Sequence, residues 1–116
     1  MTIEELRIRI DALDRQLVEL LSERARAAQM IGHLKAATDL PVYEPNREKV
    51  IYANVRAANK GPLPDIELTH IYERIIDVMR ALQRNELASE RNAQAAQSAA
   101  EPGHGVGETP ETGKKS

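Results

Sequence analysis

Apolar residues recur at Ile3, Leu6, Ile10, Leu13, Leu17 and Leu20 and, past Arg24 and Ala27, at Ile31 and Leu34, in steps of three and four with no Pro before Pro41. That alternation predicts one long amphipathic helix. It begins near Thr2, whose hydroxyl can cap free N–H groups while Glu4 and Glu5 complement the positive dipole end, and it stops before Asp39-Leu40-Pro41. A helix of about 36 residues is about 54 Å long at 1.5 Å per residue, whereas a globule of about 90 residues is only about 31 Å across. The helix overshoots any globule the chain can make around it. Its seam runs nearly full length, so the far half needs cover that two shorter helices of the same chain cannot supply. A homodimer with paired long helices follows. Gly32 lies inside this helix; it either marks close approach of another backbone or is simply tolerated, at about 1 kcal/mol against Ala.

The rest of the chain reads as two further helices. Pro41 to Glu44 is a connector, and Pro45 suits the first position of a helix that carries Val50, Ile51, Ala53, Val55 and Ala58. Asn59-Lys60-Gly61-Pro62 ends it, with Gly61 available for a left-handed cap. Pro64 opens a third helix with a stripe of Leu68, Ile71, Ile75, Val78 and Leu82, flanked by Tyr72, Ile76, Met79 and Gln83. The expected fold is all-α, with one long, one short and one medium-long helix per chain in an intertwined homodimeric bundle. After about Glu86 the periodicity fades into Ala, Gln, Ser and Asn, and the segment from Glu101 is rich in Gly and Pro. The expected division is a helical domain over 1–90, with a frayed extension of the third helix, and a disordered tail over 91–116.

Composition narrows the chemistry. Without Cys there is no disulfide framework, Cys-ligated metal or thiol nucleophile, and His33, His70 and His104 are too scattered in sequence to suggest a metal cluster. No metal and no cofactor are expected. Sixteen basic against eighteen acidic residues leave a net charge of −2, and three Tyr are the only aromatics. Neither a basic field nor stacking platforms are available for nucleic acid. The N-terminus has no basic n-region and apolar h-region, and no stretch approaches the roughly 18 apolar residues of a membrane span, so a cytoplasmic protein without membrane contact is expected.

Arg24 falls where the alternation calls for an apolar residue, and a guanidinium in a seam is costly unless something anionic meets it. Two readings stay open: an ion pair with Glu19, Glu23 or a partner acid, or a snorkelling side chain, against a site for an anionic ligand. Lys35, eleven residues on, shares nearly the same stripe about 16 Å away, so the two could close on one small dianion. Arg7, seventeen residues before Arg24, is about 25 Å distant and rotated by roughly 100°, and can join such a site only from another subunit. Arg47 and Glu48 lie in the first turn of the second helix beside Glu44; a first-turn Arg opposes the dipole, which points to another task or to plain surface placement. Gln83 is an uncharged polar residue on a mainly apolar face, either a half-solvated edge amide or a donor to a ligand.

Taken together, the segments Leu-Arg-Ile-Arg-Ile-Asp-Ala-Leu-Asp-Arg-Gln-Leu-Val-Glu-Leu-Leu-Ser-Glu-Arg (6 to 24), Ile-Gly-His-Leu-Lys (31 to 35), Pro-Val-Tyr-Glu-Pro-Asn-Arg-Glu (41 to 48) and Ile-Tyr-Glu-Arg-Ile-Ile-Asp-Val-Met-Arg-Ala-Leu-Gln (71 to 83) resemble the all-α class of chorismate mutase. The likeness spans nearly all of residues 3 to 86 and leaves out the tail. It implies an intertwined homodimer with two sites, each built from both subunits, and rearrangement of chorismate to prephenate on the route to Phe and Tyr. It further implies carboxylate-binding cations at Arg24, Lys35 and Arg47, with Arg7 contributed across the dimer. Glu48 matches the acid that receives the ring hydroxyl, with Glu44 near it, and Gln83 matches the amide directed at the ether oxygen. Met79 stands where some members have Ser, which removes one hydrogen bond to a carboxylate.

The implied reaction is an intramolecular pericyclic shift that needs no base, nucleophile or metal. Holding a compact conformer and stabilising charge on the ether oxygen suffice, so Lys35, Gln83 and Arg24 are the expected catalytic residues. Two rivals remain at this stage. Isochorismate pyruvate lyase resembles the same class and also orients a dicarboxylate with cations. A non-catalytic helical dimerisation or regulatory module is the other, although its seam should prefer apolar residues over Arg24.

Overall fold

The computed structural model describes residues 1–100 as three helices. Helix α1 spans Ile3–Lys35, 33 residues. Thr2 caps it as expected, in a reciprocal box: its hydroxyl accepts from the Glu5 backbone N–H (3.1 Å), and the Glu5 carboxylate accepts from the Thr2 N–H (2.9 Å). Helix α2 spans Pro45–Ala58 with Pro45 in its first turn and the first helical bond running from the Glu48 N–H to the Glu44 carbonyl. The α2–α3 turn is organised by Asn59. Its amide donates to the Leu63 carbonyl (2.8 Å) and the Asp65 carboxylate (2.7 Å), and its own oxygen accepts from the Gly61 N–H. Gly61 has φ of 73°, the left-handed conformation expected of it.

Helix α3 spans Asp65–Ala100, and at 36 residues it is longer than α1. Its last ten residues, 91–100, are the Ala-rich stretch expected to extend the third helix. Ala, Glu, Arg and Gln are strong helix formers, and extending a helix that tertiary contacts have already nucleated costs little, so loss of the apolar stripe does not stop it. The remainder of the expected tail, 101–116, lies outside the described residues.

Both α1 and α2 pack on α3. The result is elongated: the radius of gyration is 20.7 Å and the principal extents are 73 × 31 × 17 Å, against a radius of about 13 Å for a 100-residue globule. Burial is concentrated where the C-terminal half of α1 crosses the middle of α3, at Ala28, Gly32, Lys35, Ile76 and Met79. The N-terminal half of the α1 seam lies bare, with Ile3, Leu6, Ile10, Leu13, Leu17 and Leu20 between 42% and 69% exposed. No helix among the described residues is long and apolar enough to cross a membrane.

Candidate active site

The same crossing encloses a cavity of about 470 Å³, within the size range of small-molecule sites. The last turns of α1 contribute Arg24, Ala28, Ile31 and Lys35; the start of α2 contributes Glu44, Arg47 and Glu48; α3 contributes Ile76, Met79, Arg80 and Gln83. Seven of the eight residues singled out in the sequence therefore meet in one place. Arg7 does not: it is exposed on α1, about half the helix away from the cavity.

Lys35 is the centre of the arrangement. Its side chain is only 5% exposed, and a buried ammonium is costly unless each N–H finds a partner. Three are present: the Glu44 carboxylate at 2.6 Å, the Gln83 side-chain oxygen at 3.0 Å and the Val42 carbonyl at 3.4 Å. Because an ammonium only donates, this bond turns the oxygen of Gln83 toward Lys35 and leaves the amide NH₂ as the available donor. One helical turn before Lys35, Gly32 lets the two backbones touch. A Cβ built there would lie 2.7 Å from the Gln83 carbonyl oxygen and 2.9 Å from the Gln83 Cα, which settles the open reading of Gly32 as close approach.

The second carboxylate of the cavity, Glu48, is held by Arg80. Nε and Nη2 of Arg80 both donate to Oε2 of Glu48, at 3.1 and 2.7 Å, while Nη1 reaches Asp77 at 3.3 Å and the guanidinium stacks 5.2 Å from the Tyr43 ring centroid. The hydrogen bond to Glu48 pushes the Arg80 guanidinium up from its already high value, against the opposing effect of burial. Arg24 is half-buried with its guanidinium 6.0 Å from the Tyr72 ring, and among the described residues neither Arg24 nor Arg47 has an ion-pair partner within 4 Å. The ion pair of Arg24 with Glu19 or Glu23 is thus not formed. Arg24, Lys35, Arg47 and Arg80 against Glu44 and Glu48 give the cavity a net charge of +2. Small dianions are the ligands that balance it.

A family model described as Chorismate mutase type II matches residues 6–84, a span that takes in every residue from Arg7 to Gln83. The chain belongs to the type II chorismate mutase family. It is 30% identical over 91 residues to the chorismate mutase of Methanocaldococcus jannaschii, covering 78% of this chain and 92% of that one. It is 37% identical to a bifunctional chorismate mutase/prephenate dehydratase of Aquifex aeolicus over 71% of this chain, but spans only 24% of that relative's length. A solved chorismate mutase structure from Thermus thermophilus (form II) superposes with a TM-score of 0.69 at 36% identity, covering 71% of this chain and 93% of that one.

Within this chorismate mutase fold, Met79 is buried (6% exposed) and gives the cavity a thioether wall. Arg80 and Tyr43 were missed in the sequence. The signal for Arg80 was the one that drew notice to Arg24, a cation four residues after Ile76 in an otherwise apolar stripe. The scatter of the histidines also hid a cluster. His33 on α1 faces Glu86 and Glu90 on α3 with ligand-capable atoms within 4.8 Å of one another, and its Nδ1 lies 2.7 Å from a Glu90 oxygen as a cross-helix hydrogen bond.

Proposed function

We propose that this chain acts in the cytoplasm as a homodimeric chorismate mutase, converting chorismate to prephenate in two sites, each completed by Arg7 of the partner subunit. The observation that carries the reading is the buried Lys35 bonded to Gln83 beside Arg24 and Arg47 in a cavity of net positive charge. The substrate is a flexible dicarboxylate in which a C–O ether bond breaks as a C–C bond forms, with negative charge growing on the ether oxygen. Lys35, giving up its long 3.4 Å contact with the Val42 carbonyl, and the NH₂ of Gln83 donate to that oxygen, where each donor acts mainly in the transition state. Arg24, Arg47 and the partner's Arg7 bind the carboxylates, because a planar fork meets a carboxylate through two N–H groups and fixes its direction as well as its place. Holding both ends selects the compact conformer and removes the entropic part of the barrier. Glu48, with Glu44 beside it, receives the ring hydroxyl.

The dimer is supported by the bare seam of α1, whose leucines and isoleucines stay half exposed in the single chain. Three buried apolar side chains among the described residues, Ala28, Ile76 and Met79, are a small core for so long a structure. Pairing a second α1 along the seam covers it and carries a second Arg7 across the roughly 25 Å that separate it from the cavity of its own chain.

The test is to incubate purified protein with chorismate and, separately, with isochorismate, scoring prephenate against salicylate and pyruvate, with Arg24→Ala alongside. Prephenate from chorismate, lost in Arg24→Ala, supports the reading. Salicylate and pyruvate as the main products would move the chain to the lyase reaction. Failure to bind a bicyclic transition-state mimic, with no product from either substrate, would leave a helical dimerisation module.

A further inference from the structure

The four cations of the cavity do not have equal work. Two are already engaged by the cavity's own acids: Lys35 by Glu44 at 2.6 Å and Arg80 by Glu48 through two hydrogen bonds. Two remain, Arg24 and Arg47, and a dicarboxylate has two carboxylates. Glu48 lines the same cavity as Arg47 and lies one turn from Glu44, so without a cation of its own its charge would draw on the cavity's free cations and repel the incoming dianion. Arg80 is well anchored for that task. Its donors are divided between Glu48 and Asp77, its face lies against Tyr43, and both Arg80 and Glu48 are about four-fifths buried, where a charged hydrogen bond is strong. Both bonds go to Oε2, so the geometry leaves Oε1 of Glu48 as an open acceptor.

We propose that Arg80 is a positioning residue of this site: it neutralises Glu48 and holds it with one oxygen open to the substrate hydroxyl, which keeps Arg24 and Arg47 available to the two carboxylates. The proposal rests on the chorismate mutase reading above and on Glu48 as the hydroxyl acceptor. Arg80 takes no part in the rearrangement and touches no reacting atom; it acts through Glu48. Its position beside Met79 also gives the cavity an ordered polar wall where the Met79 thioether offers none.

The experiment is a double-mutant cycle on the full chain with chorismate, using Arg80→Met, Glu48→Gln and the pair, with Arg80→Lys as the conservative variant. Arg80→Met should raise KM about tenfold or more while kcat stays within about threefold, because ground-state binding of the dianion is what is lost. A merely structural role would lower the amount of folded enzyme and leave KM alone. In the Glu48→Gln background the same change should add less than about threefold, since there is no carboxylate left to manage. Arg80→Lys, which keeps the charge without the fork, should recover part of the KM loss. Arg80→Gln carries the same expectation as Arg80→Met should the methionine variant not fold. A wild-type KM in Arg80→Met, or losses that add in the pair, overturns the proposal while Glu48→Gln remains impaired. If Glu48→Gln is itself as active as wild type, the hydroxyl assignment falls and this proposal falls with it. If wild type makes no prephenate, the function reading is what has failed.

Discussion

Gly32→Ala sets two effects of opposite sign against each other, and the structure says which one activity should follow. In an isolated helix the change would stabilise by about 1 kcal/mol, because Ala restricts the unfolded chain and Gly does not. In this crossing the new Cβ meets the Gln83 carbonyl oxygen at 2.7 Å, the Gln83 Cα at 2.9 Å and the Glu86 Cβ at 3.0 Å. Ordinary contact begins at 3.4 Å, so α1 and α3 must separate by about 0.7 Å, and two of the three atoms belong to backbone that cannot rotate away. Overpacking of this kind costs about 1–3 kcal/mol, which leaves the net stability change between about zero and a 2 kcal/mol loss. Activity has no such compensation. The same separation stretches the 3.0 Å bond from Lys35 to Gln83 and moves the two donors apart at the ether oxygen, and misplacement of about 1 Å at reacting groups can cost a hundredfold. Gly32→Ala should therefore lose about tenfold or more in kcat/KM with a melting temperature between that of wild type and about 10 °C lower, a loss of stability that leaves the enzyme folded at assay temperature. Steady-state rates and a thermal melt on the same preparation check it. A variant that is more stable by about 1 kcal/mol and fully active would refute the close approach of the two backbones.

Other outcomes follow from the same geometry. Lys35→Ala should lower kcat about a hundredfold or more, and by more than any loss of melting temperature explains, since Lys35 donates to charge that exists only in the transition state; near-normal turnover would sink the assignment. Gln83→Glu should confine activity to acid pH, because a carboxylate at this position donates only when protonated and, once ionised, places negative charge against the ether oxygen; a pH–rate profile unchanged from wild type would argue against contact with that oxygen. Arg7→Ala and Gln83→Ala should each be nearly inactive alone, yet a mixture unfolded and refolded together should regain activity, because a mixed dimer holds one site with both residues intact. Refolded mixtures as inactive as the separate variants would place Arg7 outside the site.

Local physics made much of the fold legible. The three-and-four spacing of α1, the Thr2 box, Pro45 at the head of α2 and Gly61 with φ of 73° each depend on residues within a few positions of one another. The length of α1 against the size of a globule also disclosed, without any partner in view, that the seam would be left bare. An extension of α3 was legible in its Ala-rich composition but its length was not, because apolar periodicity reports packing, whereas continuation to Ala100 needs only helix propensity. Roles for Glu44, Glu48 and Gln83 came from family resemblance; charge and spacing alone left each of them between surface and site.

What the sequence determined by itself is the set of helices and the placement of charge on them, since both follow from periods and caps along the chain. What only the tertiary structure decided is which charges meet. Lys35 and Gln83 are 48 residues apart, and Glu48 and Arg80 are 32 apart; no period connects such positions. Their meeting depends on the register at which α1 and α2 lie on α3, and for α1 that register is set where Gly32 admits the Gln83 backbone. Arg80 shows the consequence: along the chain it is one cation among sixteen basic residues, and in the fold it is the ligand of the acid that faces the cavity.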